Sequence, residues 1–198
     1  MEVKMKGEII NAATFSVKVE DVFALKFLYK VVKEWLDEEK YFDDEGGEKF
    51  REKLYLDKTN QMGKELWMWW RTIKYPDGVN KKTGYLRYLL DIDYHILNMT
   101  KAEVMHKGKK LKLDKGEVEA TIVANLELDY RGEWKKSGLM KSFIKIFQKR
   151  IYRKEIEDHR LYLYKEAYKL QALIKRFLEA KGLFTPEEAK TYTKRGLI

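Results

Sequence analysis

The chain has 198 residues, 44% of them hydrophobic and 14% aromatic, enough to bury one substantial core and little suited to disorder away from the ends. It has no cysteine, which excludes disulfide staples, thiolate zinc sites and cysteine nucleophiles together. Charged residues make up 37% and leave a net charge of +9; a balance this rich in Lys and Glu suits a thermophilic protein.

The opening "MEVKMKGEIINAATF" lacks the continuous apolar run of a signal peptide, and no stretch approaches the roughly 20 apolar residues of a membrane span. A cytoplasmic protein is the expectation. Residues 2–10 alternate weakly and predict a short strand. From about 19 to 40, Val22, Leu25, Leu28, Val31, Val32, Trp35 and Leu36 recur at three- and four-residue spacing and predict a helix. "DDEGGE" breaks it, and a strand is expected at 48–57 with Phe50, Leu54 and Leu56 on one face.

"LWMWWRTIK" (66–74) places three of the five tryptophans in four positions. Period two sets Trp67, Trp69, Arg71 and Ile73 against Leu66, Met68 and Trp70; both faces are bulky, so the strand is expected to be covered on both sides. Base-stacking platforms usually carry their aromatics on one basic face, so this cluster is read mainly as core, with cavity lining or stacking as the other uses. "YPDGVNKKTG" is a turn or loop. Residues 85–97 alternate Leu86, Tyr88, Leu90, Ile92, Tyr94 and Ile96 with polar residues, a strand. Residues 101–120 read as short strands with turns at 107–108 and 114–116. Residues 117–130 close a sheet, with Val118, Ala120, Ile122, Ala124, Leu126, Leu128 and Tyr130 inward and Glu117, Glu119, Asn125, Glu127 and Asp129 toward water.

The rest is helical: an amphipathic piece at 139–147, then a long helix at about 155–180 with the stripe Ile156, Leu163, Ala167, Leu170, Ile174, Phe177 and Leu178. Gly182 marks its end, and Thr185–Pro186 starts a short helix before a basic tail. The reading is one α+β domain over 1–182, a curved antiparallel β-sheet packed on a long C-terminal α-helix, with 183–198 as short helix and tail.

This order of strand, helix, antiparallel meander and long C-terminal helix resembles the helix-grip fold of the START and Bet v 1-like superfamily over roughly residues 2–180. The resemblance is one of topology, without a motif, and the chain has one helix after the first strand where that family has a short pair. It implies a cavity between sheet and helix for an apolar small molecule or lipid, with Trp67, Trp69, Tyr88, Leu90 and Tyr94 as candidate lining. Stretches such as "LDIDYHILNMTKAEVMHKGKKLKLDKGEVEA" also look like an uncharacterised family of conserved archaeal proteins, which implies no activity.

Three residues could carry metal or acid–base chemistry: Asp91, Asp93 and His95 share one strand face at i, i+2, i+4. The competing reading is a polar face neutralised by cross-strand Lys or Arg. His106 and His159 read as surface histidines. Ser16, Ser137 and Ser142 lie in no nucleophile-elbow context, and the sequence has no P-loop, no G-x-G-x-x-G and no H-E-x-x-H. No catalytic residue, metal or cofactor is expected.

Charge is the strongest functional signal. From Trp134 onward the chain carries 17 Lys+Arg against 7 Asp+Glu, while residues 1–133 are near neutral. Within that third, 134–154 holds eight bases and no acid. The expectation is a non-enzymatic, ribosome-associated RNA-binding protein whose phosphate contacts come from Lys135, Lys136, Lys141, Lys145, Lys149, Arg150, Arg153 and Lys154, with Lys194 and Arg195 in the tail and Lys107–Lys112 assisting. The alternatives are a solvated face quenched by Glu117, Glu119 and Glu127, or a membrane-surface helix. A homodimer through sheet edges and the long helix is a further expected partner.

Overall fold

The structure is a computed structural model and describes residues 7–43, 51–79, 81, 84–106, 109–136, 146, 150 and 152–181. Among them the chain runs β1 (Glu8–Phe23), α1 (Leu25–Glu38), β2 (Phe42–Asp43), β3 (Glu52–Asn60), β4 (Gly63–Lys74), β5 (Leu86–His106), β6 (Lys109–Leu128), α2 (Glu133–Lys136) and α3 (Arg153–Glu179). The strands form one six-stranded antiparallel sheet in the order β1-β6-β5-β4-β2, with β3 pairing β4. This is the α+β class expected, a sheet with a long C-terminal helix lying on it, over β1 and β6, and touching α1.

The helix sits on one face of the sheet because alternation supplies that face with apolar residues. Val118, Ala120, Ile122, Ala124 and Leu126 of β6 are fully buried, as are Leu163, Ala167, Leu170 and Ile174 of the α3 stripe. Small residues on the sheet let the helix backbone approach, and larger ones fill its flanks: the Phe15 ring meets Tyr164 at 5.6 Å and Tyr168 at 6.1 Å.

Three expectations about the elements are corrected. The first strand runs to Phe23, and its helix spans only Leu25–Glu38; residues 19–23 alternate as well as they repeat, and cross-strand pairing with Asp114–Val118 takes them. At its start α1 has no side-chain cap of its own; Asp114, from β6, accepts the Leu25 N–H at 3.3 Å. The 114–116 segment is not a turn, and β5 and β6 are single long strands joined beyond His106. β4 is covered on both sides only toward its end: on the outer face Ile73 is 1% exposed, whereas Trp69 is 42% exposed.

Gly116 is there for space. A β-bulge between Leu97 and Thr100, with Asn98 at φ +52°, pushes the β5 backbone toward β6. A Cβ at 116 would lie 2.6 Å from the Leu97 carbonyl oxygen and 3.1 Å from Met99 Cα. Gly116→Ala is therefore expected to destabilise the fold by about 1–3 kcal/mol, read as a lower midpoint of thermal or denaturant unfolding.

Candidate functional site

Where β4 ends and the middle of α3 passes over it, several polar side chains meet inside an otherwise apolar layer. The even-numbered residues of β4 point inward, which brings Lys74 to the helix side, where it is 6% exposed. On α3, His159, Tyr162 and Glu166 are spaced i, i+3, i+7 and so share one face. Lys74 Nζ donates to Glu166 Oε1 at 2.5 Å and to the Tyr162 hydroxyl at 3.0 Å. The Tyr162 hydroxyl in turn donates to Glu166 Oε1 at 2.5 Å, and the Tyr41 hydroxyl donates to Oε2 at 2.6 Å. Glu39 stands 3.6 Å from the ammonium. The buried carboxylate thus accepts three hydrogen bonds and faces one cation, the condition under which an ion pair survives in a core.

Burial by itself would pull the Lys74 ammonium down, but the hydrogen bonds to Glu166 and Tyr162 and the Glu166 charge outweigh it and leave its pKa raised. Burial, then the Glu166 charge, pushes the Tyr41 phenol well above its usual range. Next to this network the Tyr88 hydroxyl lies 2.6 Å from His159 Nδ1. Burial raises the Tyr88 phenol, so it stays protonated and donates, which places the imidazole proton on Nε2. Burial also lowers the His159 pKa, against the opposing pull of Glu155 and Asp158, so the ring is neutral at pH 7. His159 is not the surface histidine expected from its charged neighbours.

The network opens into a cleft of about 240 Å³. It is lined by Lys74, Pro76 and Asp77 from the end of β4 and the turn after it, by Tyr88 of β5, and by Asp158, His159 and Tyr162 of α3.

The other sequence candidates are placed elsewhere. Asp91, Asp93 and His95 lie on the sheet face away from α3 as a row, not a pocket. Arg71 bonds Asp93 at 2.5 Å and lies 3.8 Å from Asp91, while His95 bonds Glu65 at 3.0 Å and stacks on Trp67 at 5.0 Å. The cross-strand neutralisation is the arrangement found, and among the described residues no group of three His, Asp or Glu could hold a metal ion. Trp67 and Trp69 are on this same face, Lys58 over the first at 5.2 Å and Arg71 over the second at 5.7 Å. The five cavity candidates therefore split. Tyr88 lines the cleft; Leu90 and Tyr94 are enclosed in the core, Tyr94 with no hydrogen-bond partner for its hydroxyl among the described residues; Trp67 and Trp69 are across the sheet.

Of the phosphate-binding candidates, Arg150, Arg153 and Lys154 are exposed and make no ion pair with another described residue. Lys135 and Lys136 fall in α2. Lys107, Lys141, Lys145, Lys149, Lys194 and Arg195 lie outside the described residues, as do Ser137, Ser142, Gly182, the 139–147 helix (Ile146 excepted) and the 183–198 tail. The described residues contain no helix long and apolar enough to cross a membrane.

No protein-family model matches this chain, no curated protein matches it, and no solved structure matches it.

Sequence reasoning missed Lys74, His159, Tyr162 and Glu166 as a group. One signal was present: Glu166 sits on the apolar stripe between Leu163 and Leu170, where a carboxylate needs a buried partner.

Proposed function

We propose that this protein binds structured RNA, in a ribosome-associated role, through phosphate contacts from the basic segment at 135–154. The observation that carries this reading is where the acids of the body are spent. Glu117, Glu119 and Glu127 were the sheet carboxylates able to quench the basic run. Two of the three are matched by cations of the body, Glu117 by Lys18 at 2.8 Å and the buried Glu127 by Arg87 at 2.7 Å, while Glu119 accepts from the Ser16 hydroxyl at 3.3 Å and keeps its charge. At the entry to α3, Arg150, Arg153 and Lys154 are exposed cations. A near-neutral body with a cationic third suits a polyanion held by backbone charge and shape, with no base-reading motif required. The strand order and the position of α3 also support a helix-grip scaffold for this activity.

The test is binding of a ribosomal RNA fragment across a salt series. The wild-type constant should fall steeply with salt, and Lys145→Glu/Lys149→Glu/Arg150→Glu should flatten the slope of log K against log salt by about 2–3. An unchanged slope and affinity in the folded triple variant would remove the reading.

A further inference from the structure

We propose that the cleft between the end of β4 and α3 binds a small organic ammonium ion, a primary or quaternary amine, against the exposed Tyr162 ring, with Asp77 and Asp158 of the lining as its counter-charges. The site is independent of the basic segment, and its ligand has the opposite charge to RNA.

The charges around the cleft select the sign of the ligand. Asp77 and Asp158 are both part of its lining. Glu155 also acts on His159, while the buried Glu166 and the partly exposed Glu39 stand beside Lys74. The described lining thus holds two carboxylates and one cation, Lys74, already matched by Glu166. A further anion would meet net repulsion; a cation would not.

The lining selects the kind of cation. A divalent metal needs several oxygen or nitrogen ligands converging on one point, and among the described residues none converge in that way. Asp77 and Asp158 instead share the lining with the Tyr162 ring, which is 42% exposed. The buried Tyr88 ring backs Tyr162, their centroids 5.7 Å apart and their planes inclined by 32°. Pro76 completes the apolar part. Methyl or methylene groups beside a positive nitrogen match such a wall, because the ring faces attract the charge and the carbon groups gain burial.

The protein's own side chain already uses this chemistry one layer deeper. Lys74 Nζ is 5.1 Å from the Tyr41 ring centroid and 5.2 Å from that of Tyr162, with Glu166 as counter-ion. A bound ammonium would occupy the outer side of the same Tyr162 ring. His159, with its proton on Nε2, supplies a neutral donor for a hydroxyl or carbonyl on the ligand's other end.

The experiment is a titration of the full chain with choline chloride, following the His159 ring proton resonances, with sodium acetate at matched ionic strength as the anion arm. Choline is expected to shift them saturably and acetate is not. Asp77→Asn/Asp158→Asn, two exposed positions, should weaken choline binding about tenfold and leave the unfolding midpoint near that of the parent. Three results overturn the proposal: no saturable shift with choline, a saturable shift with acetate, or unchanged choline binding by the double variant.

Discussion

Replacing Lys74 with methionine is expected to destabilise the folded chain by about 3–5 kcal/mol, the loss typical of removing one partner of a buried ion pair. Methionine has nearly the shape of the lysine stem, so the lost stability measures charge and not volume. What remains is Glu166, 3% exposed, with two tyrosine hydroxyls and, among the described residues, no other cation bonded to it. Adding Glu166→Gln removes the stranded charge while keeping an acceptor for Tyr41, and most of the stability should return. If the single variant unfolds at the parent's denaturant midpoint, the pair is not buried as described. The pH dependence gives a second readout. The folded Lys74 pKa is raised above its ordinary 10.5, so its contribution is complete below that value and is lost as pH rises through the folded one. The phenols of Tyr41 and Tyr162 are also raised, mainly by burial, so the unfolded chain releases these protons first and stability falls in the same direction. Alkaline unfolding should therefore be steep above about pH 10, and the gap between parent and Lys74→Met should narrow there.

The contrast between this cluster and the rest of the fold shows which kinds of information a linear pattern holds. Alternation in β4, β5 and β6 is a property of each strand alone, and the inward residues Leu66, Met68, Tyr88, Leu90, Ile92, Val118 and Ile122 are buried as that alternation requires. The stripe of α3 is likewise local and is buried throughout. Where two elements compete for the same residues, periodicity fails. Residues 19–23 fit a helix or a strand, and only the presence of β6 alongside decides it. The site lies at the far end of this scale. Lys74 and Glu166 are 92 positions apart, and Tyr41 and Glu166 are 125 apart. Nothing near Lys74 marks it as buried, whereas Glu166 on an apolar stripe asks for a partner without naming it. The tryptophans were half legible. Their split between two faces follows from period two, but whether the second face is open depends on what, if anything, lies over it.

The same difficulty explains Glu127, and it leads to the second large effect. By alternation Glu127 belongs with Glu117 and Glu119 on the outer face, yet it is 0% exposed, and Asp129 beyond it is 5% exposed. At this end of the sheet the outer face is closed from above. The Tyr130 hydroxyl reaches the Lys81 carbonyl at 2.6 Å, and the Arg87 guanidinium lies 5.1 Å from the Tyr130 ring. Arg87 Nε donates to Glu127 Oε2 at 2.7 Å, while the Gly7 N–H donates to Oε1 at 3.1 Å. Arg87→Met would take away the guanidinium bonded to a fully buried carboxylate and, with it, the cation resting on Tyr130. A destabilisation of about 3–5 kcal/mol is expected, and Arg87→Lys should recover only part of it, because an ammonium cannot reproduce the planar contact with the ring. Adding Glu127→Gln to Arg87→Met should restore stability more fully than Arg87→Lys does. If the lysine variant matches the parent and the double variant does not, then the planar stacking is immaterial and charge alone holds this corner of the sheet.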